Sequence, residues 1–139
     1  MSKQNLVSQW ATWGPELQSV LRIVAAFMFI ISGSPKLFGI PTPLPEGIVV
    51  PIMSQMWIGG VLEVFGGLLI LLGLFTRPTA FILSGMMAVA YWQFHAPHGF
   101  WLWPTANGGA AAVLYCFVWL YFSAVGAGPW SLDTKRRRP

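Results

Sequence analysis

Four apolar runs, Leu17–Phe38, Ile52–Phe75, Thr79–Ala96 and Gly108–Gly126, take up most of this 139-residue chain. A helix needs about 20 predominantly apolar residues to cross the hydrocarbon core of a bilayer. Charged residues make up 9% of the sequence and hydrophobic ones 55%, with a mean hydropathy of +0.63, whereas an ordinary soluble domain is about 25% charged. The expected fold class is an all-α membrane protein, an antiparallel four-transmembrane-helix bundle. The runs divide the chain into an N-terminal interfacial segment (1–16), a transmembrane domain (17–126) and a basic tail (127–139).

Charge placement sets the expected orientation. The net charge is +4, but four of the eight basic residues are the run Lys135-Arg136-Arg137-Arg138, which suits a membrane anchor better than a nucleic-acid surface. Positive residues concentrate in short cytoplasmic segments, so the C-terminus and, with four spans, the N-terminus are expected in the cytoplasm. Lys3, and Arg77 in the turn between the second and third runs, agree. No small-residue cleavage site follows a short apolar core, so the first span is expected to stay. Trp10 and Trp13 lie on one side of a short N-terminal helix over about Val7–Trp13, at the depth where Trp favours headgroups. The first loop, GIPTPLPEGIVVP, holds four prolines and reads as extended and stiff.

Glu63 is the only charge in Ile58–Phe75. An ionised side chain at mid-membrane costs several kcal/mol, so such residues face the bundle interior, a partner charge or a water-filled cavity. At 100° per residue, Glu63 shares an arc of about 140° with Gly59, Gly60, Gly66, Gly67 and Gly73, and small residues mark close helix approach. Val61, Phe65, Leu68 and Leu72 face the other way, toward lipid. On the first helix Arg22, Ala26, Phe29, Gly33 and Lys36 form one inward stripe, with Arg22 and Lys36 about 21 Å apart along the axis. Either Arg22 or Lys36 can pair with Glu63, and Arg22 is preferred because Lys36 is near enough to the boundary to snorkel into water. Arg22, Lys36 and Glu63 are thus expected to form a buried polar cluster.

On the third helix Ser84, Ala88, Tyr91 and His95 share a stripe, and the helix is expected to stop at Pro97. His98 follows in the loop HAPHGFWLWPTANGG. Tyr115, Cys116, Trp119 and Ser123 lie on one side of the fourth helix. A lone cysteine excludes an internal disulfide and dithiol chemistry. No metal site is expected: His95 and His98 at i, i+3 across a proline are not a recognised ligand pattern. The glycine pairs sit in apolar helices without a phosphate-loop context and read as packing devices.

The segments LRIVAAFMFIISGSPKLFG and VLEVFGGLLILLGLFTRPTAF, the loop HAPHGF and the ending GPWSLD together resemble the DoxX family of small four-helix bacterial membrane proteins. The similarity covers about Leu21–Asp133 and includes Arg22, Gly33 through Lys36 to Gly39, Glu63-x-x-Gly66-Gly67, Thr76-Arg77 and His95-x-Pro97-x-Gly99-Phe100. The resemblance implies a location in the bacterial inner membrane and a link to membrane redox chemistry, since the family is named for a relative of a thiosulfate:quinone oxidoreductase subunit. Arg22, Lys36, Glu63 and His95 match its recurring polar positions. Many relatives carry an acid shortly after the glycine pair opening the fourth helix. Here that region is Gly108-Gly109-Ala110-Ala111-Ala112, without one.

Two functions of different class stand side by side. In one, the chain is a membrane subunit in quinone-linked redox chemistry, with Glu63 and His95 catalytic and Tyr91, His95, His98, Phe100 and Trp101 as quinone or lipid contacts. Electrons then come from a partner protein, because the sequence holds no haem, flavin or iron–sulfur motif. In the other, it is a non-catalytic accessory subunit of a larger respiratory or photosynthetic complex, and its buried charges serve folding. The expected partners are the bilayer and other membrane subunits or a second copy, with no nucleic acid. A transporter is disfavoured because no half-helix pair is visible.

Overall fold

The computed structural model describes residues 2–137, and its regular elements are all helical. Helix α1 (Lys3–Ala11) is followed by the long α2 (Gly14–Phe38). The second apolar run is a composite: α3 (Gln55–Val61), a π turn over Leu62–Gly66, and α4 (Gly67–Leu72). The third is also composite, with α5 (Thr76–Ala90), a π turn over Tyr91–His95 and a 3₁₀ turn over Ala96–His98. Next come α6 (Ala110–Val125) and the short α7 (Leu132–Arg136). Helix α2 and the stretch Gln55–Leu72 are each long and apolar enough to cross a membrane, consistent with a helical membrane protein.

The helices start and stop where local chemistry dictates. Ser54 accepts a hydrogen bond from the Trp57 amide (3.2 Å) and so caps α3. Gly39 ends α2 in the left-handed region at φ 67°. The expected stop at Pro97 is softened: Pro97 occupies the first turn of the 3₁₀ segment, where its missing N–H costs nothing, and helical backbone runs on to His98.

Helix α2 packs antiparallel against α3 and α4, and the glycine face makes that approach possible. A methyl built at Gly33 would lie 2.5 Å from Glu63 Cβ, and one at Gly67 2.7 Å from Ile30 Cγ1. On the far side of the same stretch, Gly66 meets Leu83 of α5. Among lipids there is no hydrophobic drive between helices, so close packing of this kind carries the association. Helices α5 and α6 form the other close pair, joined at mid-length by the Ser84 hydroxyl, which donates to the Cys116 carbonyl (2.7 Å). Between the pairs lie Ala26, Phe29, Ile70, Leu83, Trp119 and Phe122. Phe27, Met28, Phe65, Phe81 and Phe117 point outward and stay exposed, an apolar surface far larger than a soluble monomer shows.

The stretch expected as a basic tail does more than trail away. Ser131 caps α7 through the Thr134 amide (3.2 Å), and the Asp133 amide donates to the Gly73 carbonyl (2.8 Å). The two oxygens of Asp133 accept from the Phe75 and Thr76 amides, each at 2.9 Å, closing the start of α5. Burial pushes this carboxyl up, but those amides and the nearby Arg136 outweigh it and hold it below its ordinary value. Arg138, last of the basic run, lies outside the described residues.

Candidate functional site

Lys36 Nζ donates to Glu63 Oε2 at 2.7 Å. The antiparallel register of α2 against α3 and α4 produces this pair. It sets Gly33 and Lys36 beside Glu63 and Gly60, and Arg22 beside Gly73. The expected Glu63–Arg22 pair is therefore corrected, and the expected three-member cluster is split between opposite ends of α2. The glycine face did place Glu63 inward, with 6% of its side chain exposed, while Lys36 keeps 25%. Each charge compensates the other, which burial of either alone would not allow.

Arg22 is completely buried and turned entirely to backbone oxygens. Its Nε donates to the Ala127 carbonyl (2.8 Å), its Nη1 to those of Ile70 and Leu71 (both 2.6 Å), and its Nη2 to that of Trp130. Ile70 and Leu71 belong to the last turn of α4, where carbonyls run short of helical partners; Ile70 also accepts from the Gly73 amide at 3.0 Å. A guanidinium there caps α4 and complements its dipole while tying down the C-terminal segment. Arg77 serves α6 in the same way, donating to the Ala124 and Val125 carbonyls.

The Lys36–Glu63 pair forms part of the wall of a cavity of about 650 Å³ between α2, α3, α5 and α6, within the range of small-molecule sites. Most of its lining is apolar, including Phe29, Met86 and Phe94. The polar groups that converge there are Lys36, Glu63, His95, Gln55, Ser32 and Tyr115. Both π turns contribute, one carrying Glu63 and the other His95. Such single-turn bulges often occur at functional sites. The amide of Gln55 donates to that of Gln93, linking α3 to the second π turn.

The other candidates lie elsewhere. Tyr91 is buried and holds the following loop: its hydroxyl donates to the Trp101 carbonyl and accepts from Asn107 Nδ2 (3.0 Å). Asn107 in turn receives the Gly109 amide at 2.9 Å, at the start of α6. Tyr91 touches the site only through its ring, stacked at 6.5 Å from His95. His98, Phe100 and Trp101 are exposed and do not line the cavity. Phe100 and Trp101 instead join Trp92 in a surface aromatic row. Sequence reasoning missed Ser32, Gln55 and Tyr115 as cavity groups. Tyr115 shares one side of its helix with Cys116, Trp119 and Ser123, and that stripe was the available signal.

Residues 17–96 match the DoxX family profile. A protein from Haemophilus influenzae described only as an uncharacterized protein is 43% identical over 122 residues, covering 87% of this chain and 91% of the relative. No solved structure matches. With more than half its length inside the family profile and its polar positions set in this geometry, the chain belongs to the DoxX family.

Proposed function

We propose that this is a multi-pass bacterial inner-membrane protein with four antiparallel spans and both termini in the cytoplasm, and that its cavity binds a quinone headgroup in membrane redox chemistry. The observation that carries the reading is the cavity itself, apolar over most of its wall with Lys36, Glu63 and His95 converging on it. The cavity suits such a group: planar apolar rings fit between Phe29, Met86 and Phe94, and Lys36, His95 and Tyr115 can hydrogen-bond a carbonyl oxygen. A bound quinone would supply two-electron, two-proton chemistry, with electrons from a partner protein. Glu63 then exchanges protons, Lys36 holds its carboxylate in place, and His95 orients the headgroup.

The test is binding and reduction of a short-chain benzoquinone by protein purified in mild detergent with its native partners. Glu63→Gln is expected to lower turnover at least tenfold. Unchanged binding and turnover would sink the mechanism.

An accessory-subunit reading draws on α1, which buries no residue and presents Trp10 outward, and on the exposed Trp13 in the turn that leads into α2. Stoichiometric co-purification with a large complex, with activity indifferent to His95→Ala and Glu63→Gln, would favour it.

A further inference from the structure

A second polar site lies at the Arg22 end of the molecule, away from the cavity. A cleft of about 330 Å³ there is lined by Phe75, Arg77, Asp133, Arg136 and Arg137, among others. A neighbouring cleft of about 270 Å³ shares Arg77, Asp133 and Arg137. Among the described residues the only carboxylate in these walls, Asp133, already accepts two backbone amides, so three guanidiniums, of which Arg77 is already bonded to the Ala124 and Val125 carbonyls, face the clefts with one engaged acid between them. Arg136 is held over the Phe75 ring at 4.9 Å. Phe75, 52% exposed, is an apolar wall of the cleft, and Trp130 and Leu132, 56% and 37% exposed, shortly precede Asp133 in the chain.

We propose that this cleft binds the phosphate headgroup of an anionic glycerophospholipid, with Arg136 and Arg137 taking the phosphate and the acyl chains leaving along the exposed ring of Phe75. Guanidiniums match phosphate oxygens in bidentate geometry, and basic pockets beside membrane helices favour anionic lipids. The start of α5 is occupied by Asp133, so the attraction comes from the arginines. An inorganic phosphate would meet the same charges but make no use of the apolar flanks.

The experiment measures binding of phosphatidylglycerol and of phosphatidylcholine with the same acyl chains to the full chain in nonionic detergent, by native mass spectrometry and thermal shift. Phosphatidylglycerol is expected to bind about tenfold more tightly or better, a difference of about 1.4 kcal/mol. Arg136→Gln with Arg137→Gln should abolish that preference, or Arg137→Gln alone should reduce it severalfold if the double variant does not fold. Lys135→Gln, which removes the same single charge as Arg137→Gln but outside the cleft walls, should leave the preference within twofold. Equal binding of the two lipids overturns the proposal. So does a preference that survives the arginine changes, or one that falls as far with Lys135→Gln. Inorganic phosphate stabilising the protein as strongly as the lipid overturns the lipid assignment. None of these readouts depends on the cavity or on quinone.

Discussion

Helix α2 carries a cation near each end, and the two are used in opposite ways. Arg22 gives its N–H groups to four backbone carbonyls and is sealed from solvent. Lys36 meets a single carboxylate oxygen and stays on the wall of an open cavity. At the Arg22 end the donors are consumed by the scaffold. At the Lys36 end hydrogen-bonding capacity remains beside empty space, which is what a binding site requires. A buried charge in a membrane protein therefore points to function through what its partners leave unused, more than through burial itself.

The contrast can be broken most forcefully at Arg22. Arg22→Leu takes the guanidinium donor from the carbonyls of Ile70, Leu71, Ala127 and Trp130, of which Ile70 keeps the Gly73 amide, and stability in detergent is expected to fall by about 3 kcal/mol or more. Thermal unfolding monitored by circular dichroism would show it, and a variant of native stability would remove the distinction between the two ends. Next is Gly33→Ala. Its methyl meets Glu63 Cβ and, at 2.9 Å, the Gly60 carbonyl, so the helices must part at a cost of about 1–3 kcal/mol. Because Gly33 lies beside Glu63, this change should impair ligand binding, whereas Arg22→Leu should act mainly through folding.

Asp133 gives a smaller, pH-dependent effect. Its folded pKa is depressed, so its stabilisation is fully present above the unfolded value, near pH 4, and is lost as pH falls through the folded value. Asp133→Asn should lower stability at neutral pH by about 1 kcal/mol, the usual worth of a cap. The gap to the parent chain should close in acid. A gap that widened in acid would contradict the capping role. Smallest of all is His98→Ala, expected within about 0.5 kcal/mol and without effect on ligand binding, since His98 is exposed and outside the cavity.

The inward faces were legible from periodicity: Arg22, Phe29 and Gly33 on α2, and Gly60, Glu63 and Gly67 on the next stretch, are buried as the wheel requires. The ion-pair partner was legible too, had the turn been given its weight. A hairpin closing between residues 39 and 54 brings Glu63 back beside Lys36 and carries Ile70 on to Arg22. Preference for Arg22 came from treating Lys36 as free to reach water, whereas it reaches both, keeping a quarter of its side chain exposed. The acceptors of Arg22 were harder to foresee, because Ala127 and Trp130 lie over 100 positions away in a segment that reads as a tail. The π turns were invisible for another reason: a period of 3.6 describes the helix on either side of them and carries no mark of the extra residue within.

Those distant acceptors bear on the timing of biogenesis. A ribosome adding roughly 10 residues per second makes Arg22 about ten seconds before Ala127 and Trp130, so the first span must enter its surroundings with an unfinished guanidinium. The last stretch to be synthesised is the one that completes the first. Chains truncated before Ala127 should be recognised as defective although every long apolar helix is present, which makes the C-terminal segment a built-in check on completeness.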